Sequence, residues 1–583
     1  MTAPPFSTVL VANRGEIAVR VIRTCRELGI ATVAVHSDVD AGALHVRLAD
    51  EVVSLGGTTA AESYLDVSKI VAAIEQTGAE AVHPGYGFLS ENADFVTAVQ
   101  QAGGVFVGPP AEAMELMGSK LSARAAATAA GVPTIPGSEH PVVDGDGVRA
   151  FAARHGYPLA VKASYGGGGR GMRVVHGDDE ADAAVESARR EATAYFGEPE
   201  VYVERYLERP RHVEVQVLAD ELGTVVAVGT RDCSVQRRHQ KLLEEAPAST
   251  ISAETADAMF QASIALAKAV DYRGAGTLEF LAQDDEFFFL EMNTRLQVEH
   301  PVTEAVADIG TAGRVDLVAE QLRIAAGLPI SFEQADLSVS GHAIELRINA
   351  EDPRGGSFLP TPGPITALQP PSGVRFDTGY ERGDVVSEHY DGLVGKLVVW
   401  GEDRPAAIAN ARRALRELGV GGIRTTAPAH GLILEHPHFV EDVHTTRWLE
   451  TESTMARALD RLADVPVEAG LPPRRLATVN GRTYWMPDDG PPPQVVLQTA
   501  ERGADLVSSD GIVRSPMQGT IVKLACAAGD RVEADQVVCV LEAMKMENPL
   551  RAGRTGVVTS LEVALGDSVA PAQVLLSIEE DDA

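Results

Sequence analysis

Lys545, between Met544 and Met546, stands between two copies of one short sequence. Residues 514–542 and 551–579 match at an offset of 37: Gly519 with Gly556, Leu524 with Leu561, Gly529-Asp530 with Gly566-Asp567. Val532 and Val569, Gln536-Val537 and Gln573-Val574, and Glu542 and Glu579 continue the match. Each copy reads as β-branched runs broken by Gly-Asp turns, so each is expected to be a small antiparallel unit. Two such halves can bury their faces together as a flattened barrel, with Lys545 at an exposed hairpin tip. A lysine held on a rigid turn suits a tethered cofactor.

Two further stretches carry chemistry. Tyr165-Gly166-Gly167-Gly168-Gly169-Arg170-Gly171 follows an apolar strand ending in Lys162. A glycine run also serves as a flexible linker. Lys162 before it and Arg170 within it favour a mobile cover whose N–H groups close on phosphate oxygens. No Gly-Lys-Ser/Thr follows, so this is not a Walker loop. Downstream, Glu279 lies on an apolar strand over Thr277–Leu281, and Glu291 ends the next strand, before Met292-Asn293. Either glutamate alone reads as an exposed strand-end charge. With Asn293-Thr294-Arg295-Leu296-Gln297-Val298-Glu299-His300-Pro301 they read as hard oxygen ligands for Mg²⁺ or Mn²⁺ on nucleotide phosphates.

The elements that must position these residues divide the 583-residue chain into several domains. Residues 1–118 alternate strand and helix: Ser7–Ala12 and Ala31–His36 read as strands, and Gly15–Leu28 puts Ile17, Val21, Cys25 and Leu28 on one helical face. That is a doubly wound α/β domain, without GxGxxG after its first strand. Residues 119–330 form a second α/β block. Residues 331–447 read as α+β, with strands near 341–350 and 394–400. Residues 448–508 read as a linker and partner-docking region with weak strands around 476–486 and the break Asp488-Asp489-Gly490-Pro491-Pro492-Pro493. As a flexible coil it would span roughly 40–47 Å, enough for a carrier at 509–580 to travel. A net charge of −33 argues against non-specific nucleic-acid binding and requires local basic residues for anionic substrates. No apolar run predicts a membrane span, and no secretory signal is apparent. The four cysteines show no zinc spacing and suit a reducing cytoplasm.

Glu542-Ala543-Met544-Lys545-Met546-Glu547, with Ser515-Pro516-Met517 upstream, resembles the biotinyl domain of biotin-dependent carboxylases. Lys162-Ala163-Ser164 with the glycine run, Arg231 to Lys241, Glu291 to Pro301, His83 to Asn92 and Arg347 to Asp352 resemble the ATP-grasp site of biotin carboxylase. The resemblance covers about residues 5–447 and resumes at 509–580. It implies that Lys120, Lys162, Gly168, Gly169, His212 and His239 contact ATP phosphates or their lid, and that Glu204 to Leu207 meet the adenine. Gln236 joins the cofactor-binding set. Glu279, Glu291 and Asn293 would hold metal. Lys241, Arg295 and Val298 would hold bicarbonate, Glu299 would be the general base, and Arg347 would face bicarbonate and the biotin ureido oxygen. Lys545 would carry the biotin. Tyr165 and Arg205 depart from the family pattern, which commonly has glycine and lysine there.

The implied activity is ATP-dependent carboxylation of carrier-bound biotin, as the alpha subunit of an acetyl- or propionyl-CoA carboxylase. Expected partners are a separate carboxyltransferase beta subunit, because no segment remains for one, and biotin protein ligase. A hetero-oligomer is expected, with neither nucleic acid nor membrane. A subunit serving pyruvate, a plain ATP-grasp ligase and a carrier with a relic ATP-binding domain are the rivals. The biotinyl repeat speaks against the second. Lys241, Glu279, Glu291, Arg295, Glu299 and Arg347 together speak against the third.

Overall fold

The computed structural model describes residues 4–138, 140–164, 172–196, 198–238, 240–310, 313–462, 474–479, 482–487, 511–515, 519–543, 546–569 and 573–579. The chain forms two compact units, Met1–Val386 with Gly392–Met486, and Pro487–Ala583 with Ser387–Asp391.

The first unit begins with a parallel sheet in the order Glu51–Ser54, Ala31–His36, Thr8–Val11, Ala81–His83, Val105–Phe106. Its strands are apolar runs because both faces are covered. The helix Gly15–Glu27 buries Ile17, Val21 and Cys25, as the 3.6-residue spacing requires, and Leu28 packs at the edge of the same core. Each such fully buried aliphatic side chain contributes about 1.5–3 kcal/mol. Helix starts are set by sequence. Asp66 accepts from Ser68 N and Lys69 N, and Asn92 accepts from Phe95 N at 2.7 Å.

A small lobe follows, with Leu159–Ala163 between Arg173–Val175 and Val201–Arg205 and the helices Gly145–His155 and Ala181–Phe196 packed against it. The rest of the unit is organised on one antiparallel eight-stranded sheet. Its order is Glu286–Asn293, Gly274–Gln283, Arg211–Ala219, Val225–Arg237, Gln240–Ala246, His342–Asn349, Leu393–Gly401, Arg375–Thr378. The expected division near residue 330 is therefore not a break in the sheet. Gln240–Ala246 pairs directly with His342–Asn349, Leu243 opposite Leu346. Two cores flank this continuity, one on Val213, Val215 and Val217, the other on Ile344, Leu346 and Ile348.

Two expectations need correction here. Glu291 does not end its strand, which runs on to Asn293; a bulge between Glu279 and Phe280 keeps Glu279 opposite Glu291. The linker does not begin at 448. Trp448–Thr451 and Ser453–Asp460 are helical, and Trp448, Met455 and Leu459 join the carboxyl-terminal core. Met455 and Leu459 are four residues apart on one helical face, a local signal outweighed by the polar residues around them. Arg474–Val479 and Arg482–Pro487 pair as a hairpin, in line with the strands expected near 476–486.

The second unit contains two four-stranded sheets. One runs Ile512–Arg514, Val574–Glu579, Gly556–Leu561, Arg531–Val532; the other runs Met546–Arg551, Val537–Ala543, Gly519–Leu524, Ser568–Val569. The 37-residue offset carries Gly519–Leu524 onto Gly556–Leu561 and Arg531–Val532 onto Ser568–Val569. Yet neither sheet comes from one half, which corrects the expectation of two self-contained units. Each half sends strands into both sheets. The Gly-Asp turns tie the halves together: Gly529 N donates to Val558 O and Gly566 N to Ile521 O, each at 2.8 Å. Both glycines have φ near +93°, at 94° and 93°, where a side chain would be strained. Ile521, Val538, Leu541, Val558, Leu575 and Ile578 fill the space between the sheets. The hairpin ladder closes on Ala543 paired with Met546. Met544 and Lys545, between them, lie outside the described residues.

Candidate active site

Register on the large sheet assembles the site. Glu291 stands opposite Glu279, Glu279 opposite Glu214, and Glu214 opposite Arg231. One row of charged side chains thus crosses four strands. Cβ atoms of directly opposed residues lie about 5 Å apart, so like charges there are destabilising unless cations stand among them.

Protein cations supply part of that charge. Lys241 Nζ lies 3.0 Å from Glu279 Oε1 and also bonds Glu214. His212 Nε2 is 3.0 Å from Glu279 and 3.2 Å from Glu214. Burial opposes protonation of His212, but Glu279 raises it to about 9. Arg231, fully buried, donates to Glu214 from Nε and Nη2, both at 3.0 Å. Asn293 Nδ2 and Gln297 Nε2 donate to Glu279 Oε1 at 2.9 and 2.8 Å. Burial and the charge of Glu279 nonetheless lift the Glu291 carboxyl above its ordinary value, with Lys120 opposing. Glu279, Glu291 and Asn293 are oxygen donors with a carboxylate still short of positive charge, which fits a hard divalent cation.

Glu299 joins this row to the other end of the site. Lys241 Nζ donates to its Oε1 at 2.7 Å and Arg347 Nη2 to its Oε2 at 2.9 Å. Burial disfavours the Glu299 charge, but Lys241, Arg347 and Arg231 together overcome it, and the carboxyl is pushed down to about 2. Arg347 is itself fixed. Its Nε donates to Glu244 at 2.6 Å, and its carbonyl accepts from Thr426 Oγ1 at 2.7 Å and His430 Nε2 at 2.8 Å. Arg295 Nη2 donates to Asn293 Oδ1 and its Nε to Glu91, both at 2.9 Å. Val298 turns its carbonyl to the buried Lys396, whose Nζ lies 2.8 Å away.

A second group begins on the small lobe, with Lys162 and Glu204 on its strands. Lys162 bonds Glu204, and Arg124 stands 3.8 Å from the other oxygen of Glu204. Burial lowers the Lys120 pKa, Glu291 opposes this, and Lys162 adds to it. Leu207 packs with Ile135 and Phe288, an apolar patch suited to a flat ring. Gln236 is buried and pairs with Lys241 across the hairpin. Arg205 points to solvent, 3.9 Å from the exposed Glu286. Tyr165, Gly168, Gly169 and His239 lie outside the described residues, as does Lys545.

In the motif His83–Asn92 the structure shows how the loop is fastened beside the site. Asn13 Nδ2 donates to the carbonyls of Pro84 and Tyr86 at 2.6 and 2.8 Å, and a Cβ on Gly85 would meet it at 2.9 Å. Asn92 caps a helix, and Glu91 orients Arg295. Sequence reasoning missed Glu214 and Glu244. The signal for Glu214 was present: His212, Glu214 and Gln216 alternate with three valines, and all are buried. A polar face on a fully buried strand marks a site. Glu244, one of two adjacent glutamates, carried no such pattern.

Family models match residues 5–114 (biotin carboxylase, N-terminal domain) and 119–332 (carbamoyl-phosphate synthase L chain, ATP binding domain). They also match 345–451 (biotin carboxylase C-terminal domain) and 512–578 (biotin-requiring enzyme). The chain is 46% identical, over 98% of its length and 99% of the relative's, to a biotin-dependent acyl-coenzyme A carboxylase alpha3 subunit of Mycobacterium leprae. A biotin carboxylase crystallised as a β,γ-ATP complex from Campylobacter jejuni superposes with a TM-score of 0.73 at 44% identity. It covers 76% of this chain and 98% of its own. The biotin carboxylase domain of a Hydrogenobacter thermophilus 2-oxoglutarate carboxylase, crystallised with MgADP, ADP and bicarbonate, gives 0.73 at 42%, covering 77% and 98%. By sequence over its whole length, and by the fold that builds this site, the chain belongs to the biotin-dependent carboxylases, as an alpha subunit joining a biotin carboxylase to a biotinyl domain.

Proposed function

We propose that the protein carboxylates carrier-bound biotin, using bicarbonate and ATP by way of carboxyphosphate, as the alpha subunit of an acyl-CoA carboxylase whose carboxyltransferase is a separate subunit. The observation that carries this reading is Glu299, a buried carboxylate with a different cation on each oxygen. Bicarbonate is a poor nucleophile and needs a carboxylate base beside positive charge. While Lys241 and Arg347 both bind Glu299, they weaken it as a base. Bicarbonate oxygens would draw those donors to themselves, so Glu299 gains basicity as the substrate arrives. Glu299 takes the proton, the bicarbonate oxygen attacks the γ-phosphorus of ATP, and ADP departs. Lys120 and Lys162 offset the charge that develops on the phosphates. A divalent cation held by Glu279, Glu291 and Asn293 supplies further neutralisation there when bound. Arg295 and the Val298 backbone would hold bicarbonate, and the family resemblance assigns Gly168 and Gly169, outside the described residues, to a cover that would keep water from carboxyphosphate. The planar fork of donors on Arg347 would suit the ureido oxygen of biotin, which Lys545 would carry.

Whole-length likeness to an acyl-CoA carboxylase subunit supports an acyl-CoA acceptor, acetyl- or propionyl-CoA. It equally supports a carboxyltransferase beta subunit as partner; biotin protein ligase would load Lys545. Among the described residues no helix is long and apolar enough to cross a membrane, in keeping with a cytoplasmic enzyme. The test supplies the biotinylated chain with ATP, Mg²⁺ and labelled bicarbonate. Label is expected on biotin, and on no acyl-CoA until a carboxyltransferase subunit is added. Labelled malonyl- or methylmalonyl-CoA from the chain alone, free of partner by mass spectrometry, would refute the separate transferase. Absence of bicarbonate-dependent ADP release would refute the reaction.

A further inference from the structure

The hairpin of Val225–Arg237 and Gln240–Ala246 brings Gln236 and Lys241 to the site. Its last pair is Arg237 with Gln240, so the turn has two residues, and the ladder below is irregular, with register shifts at Val235 and Gln236. Arg238, the first turn residue, has φ 47°. Favoured two-residue hairpin turns need positive φ and take Asn or Gly there, whereas a larger side chain is strained. The tip that aims Lys241 thus sits above an irregular stretch of ladder and carries a strained residue at its turn.

A distant element meets this turn. Arg238 N donates to Glu450 Oε1 at 2.6 Å across 212 residues of sequence. Glu450 lies in the helical turn Trp448–Thr451, and Trp448, 4% exposed, anchors that turn in the carboxyl-terminal core. Beside it, Thr446 N donates to the Pro210 carbonyl at 3.1 Å, and Arg447 Nη1 donates to the Tyr206 hydroxyl at 2.8 Å. The segment is therefore fixed within the nucleotide-binding stretch, at Tyr206, and just after it, at Pro210, before it reaches the hairpin. Carboxylate acceptors make stronger hydrogen bonds to N–H than neutral ones do.

We propose that Glu450 is a positioning residue, which clamps the strained turn at Arg238 and thereby aims Lys241 and Gln236 into the site. This rests on the reading of Lys241 as a bicarbonate-binding lysine, and the tests separate the two. In the full biotinylated chain, Glu450→Ala is expected to raise the KM for bicarbonate about tenfold, the loss of one charged hydrogen bond, with a smaller change in kcat. Glu450→Gln keeps an acceptor oxygen and is expected to recover most of that loss. Arg238→Gly removes the strain at positive φ, so it is expected to restore the bicarbonate KM in the Glu450→Ala background. Hydrogen exchange at residues 236–241, read by mass spectrometry, needs no activity. It is expected to quicken in Glu450→Ala and slow again in the double variant. Unchanged exchange overturns the clamp whatever the activity of the parent chain. Exchange that quickens while the bicarbonate KM stays put, or a raised KM that Arg238→Gly does not restore, overturns the link to Lys241.

Discussion

Glu299 takes Lys241 on one oxygen and Arg347 on the other, and each of those cations has a second carboxylate. Glu214 and Glu279 on Lys241, and Glu244 on Arg347, thus share the positive charge that reaches Glu299. Burying charges stabilises a site only when each is paired and hydrogen-bonded. In the chain Glu214–Lys241–Glu299–Arg347–Glu244 every member is paired, but Glu244 leaves one buried oxygen without a partner, and burial pushes its carboxyl up to about 7. Glu299→Gln keeps the shape but cannot accept a proton. Bicarbonate-dependent ADP release is expected to fall roughly 10²–10⁴-fold, while the variant still folds. Activity near that of the parent would remove Glu299 from the role of base.

At the scale of elements, a turn between a strand and a helix depends on one buried ion pair. Arg14, the residue before the helix Gly15–Glu27, donates to Asp40 from Nε at 2.6 Å and Nη2 at 2.8 Å, and Tyr64 donates to the same carboxylate at 2.6 Å. Burial resists the Asp40 charge, but Arg14 overcomes it and holds the carboxyl at about 2, below its ordinary 3.8. A depressed folded pKa stabilises above the unfolded value and is lost as pH falls through the folded one. The pair's contribution, about 2 kcal/mol, is complete above about pH 4 and fades toward about pH 2. Urea unfolding of the protein between pH 5 and 3 is expected to show stability dropping more steeply than in Asp40→Asn. Parallel slopes would show that Asp40 is not the group responsible.

At the scale of the whole molecule, two compact units separate the carboxylase chemistry from the carrier. Lys545→Arg is expected to abolish streptavidin binding after coexpression with a biotin ligase. The same variant is expected to retain bicarbonate-dependent ADP release when free biotin is supplied. A persisting streptavidin signal would place biotin on another lysine. Loss of ADP release would show that the carboxylase unit needs its own biotinylated carrier.

What the chain determined locally was readable from it. The 37-residue repeat, the apolar strands of the first domain, the helical face of Ile17, Val21 and Cys25 and the ordered motifs all depend on neighbours within a few dozen residues. So did the chemical types at the site, since Lys241, Glu291, Arg295, Glu299 and Arg347 sit in long unbroken motifs and Glu279 on a legible apolar strand. Tertiary structure decided what these residues meet. The row Glu291–Glu279–Glu214–Arg231 exists because three strand pairings fall into one register, and the bulge after Glu279 has no local signature. The sheet joins residues 240–246 to 342–349, so the boundary near 330 marks a change of sequence pattern and not of core. The repeat could not reveal that its halves exchange strands, because hydrogen bonds from each Gly-Asp turn to the opposite half are long-range choices. Trp448, Met455 and Leu459 looked like linker until a core was there to bury them.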